Sequence, residues 1–303
     1  MSPIRANALL NNPSAAEPLW HLLGVGSLGT LAANRVLAAG FSLRVISRHT
    51  NVQRTLYWPD GRHWQATLTL AADEPIQRLI IAVKAGDTVA ALTPLLPRLD
   101  PHCHILRLQN GMGSLDSIDL PSQARRFHLL TTDGAWRKGN QVQVVAENRT
   151  LIGDGLSQPP SWLAPLAAHW PGLQWCEDID RAQRQKLALN AVINPLTALY
   201  GCRNGALLDG GPREAAMQEL AAEVDILFAR LDTDWPMDTL ARSRQIAVDT
   251  AANTSSMLAD IQTGRVTEID YINGYLLRLA AGQGMALPAH QRCYDRVRKI
   301  EQS

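Results

Sequence analysis

The chain has 303 residues, which corresponds to about two domains of ordinary size. Hydrophobic residues make up 46% of the chain and charged residues 19%, a composition typical of a globular protein with a sizeable core. The formal net charge of +1 argues against a general nucleic-acid binder. No apolar run approaches the ~20 residues that span a bilayer, so no transmembrane helix is predicted.

The N-terminal segment and the cysteines indicate where the protein works. Residues 1–17 contain one arginine and no apolar stretch of the kind found in secretory signals, so we interpret them as a flexible leader. The four cysteines are far apart and form no C-x-x-C pair: Cys103, Cys176, Cys202 and Cys293. This spacing predicts neither a disulfide framework nor a zinc ribbon and fits the reduced cytosol, so we expect a cytoplasmic protein.

Short apolar runs alternate with segments of helical spacing from residue 19 to about residue 145. The runs that predict strands of one sheet are 19–23, 42–47, 78–84, 103–108 and 127–131. Residues 27–39 have helical spacing, and Gly40 stands where the residue after a helix end is expected. Two later runs, 142–145 and 150–152, are predicted to add a hairpin. Alternation of this kind predicts an open, mostly parallel sheet covered by helices on both faces.

The second half of the chain is predicted to be all-helical. Strand-like runs disappear after about residue 178, and apolar residues then recur at three- and four-residue spacing. The predicted helices cover residues 180–200, 212–231, 237–260 and 267–284. A stretch rich in Pro, Gly and Ser at residues 153–160 precedes this change. We therefore predict an α/β domain over residues 18–178 and an all-α domain over residues 179–303.

A glycine-rich motif joins the first predicted strand to the first predicted helix. Its six residues fit the pattern G-x-G-x-x-G: Gly24, Val25, Gly26, Ser27, Leu28 and Gly29. In this pattern the first glycine permits a tight turn, the second lets a pyrophosphate approach the backbone, and the third allows close helix packing. The helix N-terminus offers free N–H groups to the phosphates. The motif predicts a dinucleotide-binding loop, with a plain turn between strand and helix as the alternative.

Residues at the carboxyl ends of two strands add to this prediction, since ligands of open α/β sheets bind there. An NAD site normally carries an acidic residue at the end of the second strand, but residues 44–49 contain none. Arg48 is placed to meet a 2′-phosphate, so NADP is favoured over NAD, with a solvated surface arginine as the alternative. Asn110, which follows the strand at 103–108, is expected near the nicotinamide.

One face of the predicted helix at residues 180–200 is polar. Lys186, Asn190 and Asn194 are four residues apart and project along the same face. Because asparagine is a poor helix former, two of them beside a lysine indicate a polar cleft, with a solvated helix face as the alternative.

A second polar cluster contains residues 253–256 and 267–270. Thr267 is predicted to be the N-cap of the last long helix, with Asp270 completing an approximate capping box. Glu268 would then lie in the first turn, where the helix dipole favours a carboxylate. Helix capping is therefore the structural alternative to a catalytic role of Glu268.

Two long segments resemble the ketopantoate reductase family. They read Lys-Leu-Ala-Leu-Asn-Ala-Val-Ile-Asn-Pro-Leu-Thr at residues 186–197, and Ser-Ser-Met-Leu-Ala-Asp followed by Thr-Glu-Ile-Asp-Tyr-Ile-Asn-Gly at residues 255–260 and 267–274. The resemblance extends from about residue 19 to residue 299. It implies a Rossmann-type α/β N-terminal domain and an all-α C-terminal domain like that of 6-phosphogluconate dehydrogenase, with the active site between them.

The resemblance also implies an activity. Members of the family reduce ketopantoate (2-dehydropantoate) to pantoate with NADPH in pantothenate biosynthesis, on the route to coenzyme A. The expected partner is therefore this small substrate, not a nucleic acid or a membrane, and the expected assembly is a monomer or a homodimer. No metal site is predicted, because His102 and His104 lack a carboxylate at ligand spacing.

Matching positions imply a role for each site residue. Lys186 matches the general acid of the family, and Glu268 matches the carboxylate paired with it. Substrate binding is implied for Asn110, Asn190, Asn194, Asn253 and Ser256. Cofactor binding is implied for the six residues of the glycine motif and for Arg48, Lys84, Asn110 and Glu268.

The chemistry of the reaction fits these residue types independently. Hydride delivery to C2 of a 2-keto acid develops negative charge on the carbonyl oxygen, which an ammonium group stabilises and protonates. An ion pair with Glu268 would raise the pKa of Lys186, and burial would lower it. A reductase of another 2-keto acid on the same fold and a non-catalytic NADP-binding sensor are the alternative functions, although a sensor needs no proton donor.

Overall fold

The structure of the protein is a computed structural model that describes residues 19–302. The predicted leader, residues 1–17, lies outside the described residues. The strands in chain order are β1 (Trp20–Leu23), β2 (Leu43–Ile46), β3 (Val52–Tyr57), β4 (His63–Leu68), β5 (Ile76–Ile81), β6 (Leu99–Arg107), β7 (Arg125–Thr131), β8 (Gly134–Lys138), β9 (Gln141–Ala146), β10 (Thr150–Gly153) and β11 (Leu173–Trp175).

Helices cover most of the remaining chain. In chain order they are α1 (Ser27–Ala38), α2 (Thr88–Leu92), α3 (Leu163–Ala167), α4 (Ile179–Tyr200), α5 (Pro212–Leu231), α6 (Thr239–Asp249), α7 (Ser256–Gln262), α8 (Asn273–Gly282) and α9 (Pro288–Glu301). Short 3₁₀ turns cover Ala85–Asp87, Thr93–Arg98, Asn204–Leu207 and Ile269–Tyr271. In the described part of the chain, no helix has both the length and the hydropathy needed to cross a membrane.

Seven strands form the main sheet, in the order β11-β10-β7-β6-β5-β1-β2. The five strands from β7 to β2 pair in parallel, and β10 runs antiparallel to β7. All four residues of β1 are buried, as expected for a parallel strand that is covered on both faces. The structure confirms the predicted open, mostly parallel sheet, and the ends of its strands differ from the prediction by a few residues.

The predicted hairpin of residues 142–145 and 150–152 is wrong. β9 belongs to a second sheet with the order β4-β3-β9-β8, whereas β10 joins the main sheet beside β7. The other strands of the second sheet were not predicted, because they contain no continuous apolar run. In β3, buried positions alternate with more exposed ones, so that Val52, Arg54 and Leu56 face the interior.

The C-terminal domain is all-helical, as predicted, but its segmentation differs. The helices predicted at residues 180–200 and 212–231 are confirmed as α4 and α5. The single helix predicted at 237–260 is instead α6 and α7, because the Ser255 hydroxyl accepts the N–H of Leu258 and begins a new helix. The helix predicted at 267–284 begins only at α8, and α9 was not predicted.

A buried hydrogen-bond network lets α4 continue through Pro195. Proline has no N–H, so the carbonyl of Ala191 loses its helical partner. The Asn273 Nδ2 group lies 2.9 Å from that carbonyl oxygen and also 2.9 Å from Nδ1 of His290. Nε2 of His290 lies 3.0 Å from the Leu220 carbonyl oxygen, and burial lowers the pKa of His290 to about 4. This histidine is therefore neutral at physiological pH and serves the packing of the helices.

Candidate active site

The glycine motif lies between β1 and α1 in a geometry that leaves room for a ligand. Gly24 has a φ of +99°, and a Cβ there would lie 2.6 Å from the Val83 nitrogen. A Cβ at Gly29 would lie 2.1 Å from the Gly24 carbonyl oxygen, so only glycine lets α1 pack this close to the strand. A Cβ at Gly26 would meet no atom within 4 Å. The open space at Gly26 faces the N-terminus of α1, which has no side-chain cap.

A buried arginine that sequence reasoning missed holds this loop in place. Nε and Nη2 of Arg54 each lie 3.2 Å from the carbonyl oxygen of Val25, the second residue of the motif. Nη1 of Arg54 donates to the carbonyl oxygen of Gln53 at 2.8 Å. The inward position of Arg54 in the alternating strand β3 is the signal that could have identified it.

Arg48 follows the carboxyl end of β2 and is exposed. Neither a hydrogen bond nor an ion pair engages its side chain within residues 19–302. The guanidinium is therefore accessible to solvent beyond the end of β2, and its contact with a 2′-phosphate stays a prediction.

The Glu268 carboxylate contacts the N-terminal domain from the C-terminal domain. Its Oε2 accepts a hydrogen bond from Nδ2 of Asn110 at 3.1 Å, and its Oε1 accepts one from the Ala85 N–H at 3.3 Å. Burial raises the pKa of Glu268, whereas the bonds from Asn110 and Ala85 act in the opposite direction. Both carboxylate oxygens are thus engaged across the interface between the domains.

The capping box predicted around Glu268 is wrong. The residue precedes only the short turn Ile269–Tyr271, and its side chain caps no helix. The Thr267 hydroxyl accepts the N–H of Ile269 at 3.2 Å, and the Asp270 carboxylate accepts the Tyr294 hydroxyl at 2.6 Å. Thr267 therefore serves a local turn and Asp270 a tertiary contact, and neither begins a long helix. The side chain of Glu268 caps no helix, which removes the capping alternative for this residue.

Lys186 projects from α4 toward the end of β7. Its Nζ donates to the Thr131 carbonyl oxygen at 2.7 Å. Burial lowers the pKa of Lys186 to about 8, and the guanidinium of Arg107 acts in the same direction, while Glu268 and Asp133 oppose them. Burial therefore outweighs the carboxylates, which decides the question that the sequence left open.

The predicted ion pair between Lys186 and Glu268 is not formed in this structure. Lys186 bonds to a backbone carbonyl, and Glu268 bonds to Asn110 and to a backbone N–H. Asn110 is the link between them, because it also lines a cleft with Lys186 and Asn190. This cleft lies between α4 and the loop after β6.

Three predicted substrate-binding residues lie outside this cleft. Asn194 is one helical turn beyond Asn190 on α4, and Asn253 and Ser256 are exposed at the start of α7. The two groups are neighbours, because the Thr197 hydroxyl of α4 lies 2.6 Å from the Ser255 hydroxyl. The polar face of α4 therefore continues from the cleft toward the start of α7.

Lys84, predicted to lie beside the cofactor, joins the two domains in this structure. Its Nζ forms an ion pair with Oδ2 of Asp260 at 2.8 Å and donates to the Val266 carbonyl oxygen at 2.6 Å. Both partners belong to the C-terminal domain. The ammonium group therefore lies at the edge of the interface that also holds Glu268.

Comparisons with known proteins show which family the chain is similar to. The family models described as "Ketopantoate reductase PanE/ApbA" and "Ketopantoate reductase PanE/ApbA C terminal" match residues 20–156 and 178–301. Among relatives named 2-dehydropantoate 2-reductase, the Yersinia pestis protein is 41% identical over 74% of each chain. The Escherichia coli O157:H7 protein is 35% identical over 92% of this chain and 94% of its own. A solved PanE/ApbA family ketopantoate reductase from Ralstonia eutropha JMP134 is 24% identical, with a TM-score of 0.82 over 94% of this chain and 99% of that chain.

Proposed function

The chain belongs to the ketopantoate reductase family, and on this premise we propose that it reduces 2-dehydropantoate to pantoate with NADPH. The observation that carries the proposal is the cleft at the domain interface, where Lys186 of α4 lies with Asn110, which is itself hydrogen-bonded to Glu268. A proton donor and polar groups thus meet near the carboxyl ends of the strands, where a dinucleotide is expected.

The residues of the loop fit a dinucleotide. The space at Gly26 is open, and the first turn of α1 presents uncapped N–H groups to an anion. Arg54 adds a buried positive charge behind Val25. The exposed Arg48 and the lack of an acidic residue in 44–49 favour a 2′-phosphate, so we propose NADPH as the cofactor.

Lys186 is the proposed proton donor of the reaction. NADPH supplies, when bound, the hydride that adds to C2 of the keto acid. Lys186 holds its proton at Nζ, stabilises the negative charge that develops on the carbonyl oxygen, and then protonates that oxygen. A pKa of about 8 keeps most of the lysine protonated at neutral pH and makes it a stronger acid than an exposed lysine. Glu268 fixes the side chain of Asn110 at the mouth of the cleft.

The other polar residues have binding roles in this proposal. Asn190 lies in the cleft, and Asn194 continues the polar face of α4 toward Asn253 and Ser256. Amide and hydroxyl groups hold the hydroxyl and carboxylate of the substrate without adding charge. Lys84 and Asn110 follow the carboxyl ends of β5 and β6, so we assign them to the nicotinamide end of the cofactor. We also place the protein in the cytoplasm, since its cysteines are free thiols.

The proposed activity is tested by mixing the protein with NADPH and 2-dehydropantoate and following NADPH absorbance and pantoate formation together. We expect one pantoate for each NADPH consumed. Binding of NADPH without consumption would instead support the NADP-binding sensor, and consumption with a different 2-keto acid alone would support the alternative reductase.

Arg48→Ala should weaken NADPH binding by about 10- to 100-fold, the loss expected for one charge-assisted contact worth about 1.5–3 kcal/mol. NADH has no 2′-phosphate, so its Kd should change little. Arg137→Ala, which removes a charge from exposed strand β8, is the matched control and should leave both constants unchanged. Fluorescence titration measures both cofactors, and equal losses for NADPH and NADH would mean that Arg48 supports the loop and does not read the phosphate.

A further inference from the structure

A buried arginine lies behind the cleft and has no part in the mechanism above. Arg107, the last residue of β6, is 3% exposed. Its Nη1 donates to the Gly111 carbonyl oxygen at 2.8 Å, and its Nε donates to Nδ1 of His128 at 3.2 Å. Within residues 19–302, no ion pair with a carboxylate neutralises this guanidinium. A buried charge without an ionic partner lowers the stability of the fold. An arginine at this position therefore indicates a role other than stabilising the fold.

His128 fixes the guanidinium but does not itself carry charge. The two residues face each other in the parallel pairing of β6 and β7. Burial and the neighbouring Arg107 lower the pKa of His128 to about 3, so its Nδ1 is a free acceptor for the arginine at neutral pH. The positive charge therefore stays on Arg107, which is held by the His128 ring and the Gly111 carbonyl group.

The second bond of Arg107 reaches the turn that carries Asn110. Gly111 has a φ of +71°, and a Cβ there would lie 2.3 Å from the Tyr271 carbonyl oxygen. The N–H of Met112 donates to the same carbonyl oxygen at 2.8 Å. The turn is thus pressed against the C-terminal domain, and Arg107 holds it from the side of the sheet.

Several charged groups surround the guanidinium. Lys186 of α4 and Arg107 bond to the same strand, because Nζ of Lys186 donates to Thr131 of β7 and Nε of Arg107 donates to His128 of β7. Glu268, Asp116 after β6 and Tyr275 of α8 also act on the pKa of Arg107. The two cations repel each other, which favours the form of Lys186 that has given up its proton. Asp133, in the connection from β7 to β8, acts on Lys186 in the opposite direction.

We propose that Arg107 is a positioning residue for the reduction: it holds the turn of Asn110 and Gly111 and places a fixed positive charge beside the proton donor. The inference rests on the proposed function, because it takes Lys186 as that donor. The fixed charge strengthens Lys186 as an acid, so that the proton passes readily to the developing alkoxide. The hydrogen bond to Gly111 keeps Asn110 in place at the cleft.

Arg107→Met, which removes the charge and keeps most of the volume, tests this role through a pH profile. A proton donor must be protonated, so kcat/KM for the keto acid falls as pH rises through the pKa of Lys186. Without the neighbouring cation, this fall should move to higher pH, and kcat at neutral pH should drop about tenfold, below the full effect of a missing acid. Arg107→Lys, which keeps the charge, should leave the fall where it is in the wild type.

Arg98→Met is the matched control, because Arg98 also bonds to a carbonyl oxygen, that of Glu74, away from the cleft. It should not move the pH profile. If Arg107 had a purely structural role, Arg107→Met would lower activity at every pH and leave the pH of the alkaline fall in kcat/KM unchanged. That result would overturn the inference. If Arg107→Met does not fold, Arg107→Lys provides the test. An alkaline fall in kcat/KM at a different pH from that of the wild type would then overturn the inference. Wild-type turnover of 2-dehydropantoate, measured beside the variants, tests the proposed function separately.

Discussion

Lys186→Ala should lower kcat for 2-dehydropantoate reduction by ~10²–10⁴, the range for loss of a positioned general acid. The variant removes the ammonium group that lines the cleft and leaves the developing oxyanion without its proton. NADPH binding should change little, because the glycine motif belongs to β1 and α1 of the other domain. The expected signature is therefore a large loss in kcat with an almost unchanged Kd for NADPH.

Steady-state kinetics and a fluorescence titration with NADPH measure these two quantities. Arg181→Ala is the matched control: it removes a cation from the first turn of the same helix, where Arg181 pairs with Asp178 and Asp232 outside the cleft. The control should retain the wild-type kcat. Near-wild-type turnover by Lys186→Ala would remove the assignment of the proton donor.

Glu268→Gln should lower kcat by about 10²-fold even though the side chain keeps its size. The carboxylate offers two acceptor oxygens to two donors, Asn110 and the Ala85 N–H, whereas an amide offers one acceptor and one donor. One of the two donors would then face an NH₂ group across the domain interface. Asn110 should therefore lose its fixed position at the cleft.

The pH profile of Glu268→Gln provides a second readout. The carboxylate raises the pKa of Lys186, so its removal should lower that pKa further and move the alkaline fall in activity to lower pH. Asp270→Asn, two residues away and bonded to Tyr294, is the control and should leave the profile unchanged. An unchanged kcat and pH profile in Glu268→Gln would show that the carboxylate has no part in catalysis.

Ser256→Ala should mainly raise KM for the keto acid, since it deletes a proposed substrate contact and leaves the proton donor intact.

The main sheet and the long helices could be predicted, because the local pattern of apolar residues specifies them. Parallel strands buried on both faces are apolar runs, and the long helices α4 and α5 repeat their apolar residues at helical spacing. β3, β4 and β8 of the second sheet were missed because they contain no apolar run longer than two residues. The break between α6 and α7 depends on one hydroxyl that is hydrogen-bonded to α4, a contact that no local pattern reports.

The candidate site was predictable where one element carries it and not where two elements meet. Lys186 and Asn190 share a helix face, so their approach follows from spacing alone. Glu268 and Asn110 are 158 residues apart, and their hydrogen bond depends on how the two domains pack. Arg107 ends the buried stretch 105–107 of β6, where a charged residue is unusual, and that signal could have identified it.

The most direct test of the central claim compares two substrates that differ by one hydroxyl group. With NADPH as donor, kcat/KM is measured for 2-dehydropantoate and for trimethylpyruvate, which has hydrogen in place of the terminal hydroxyl. A cleft whose amide groups bind that hydroxyl should prefer 2-dehydropantoate by about 10²-fold or more, because the analogue leaves polar groups of the cleft without a partner. Equal values for the two keto acids would contradict the account of this protein as a ketopantoate reductase.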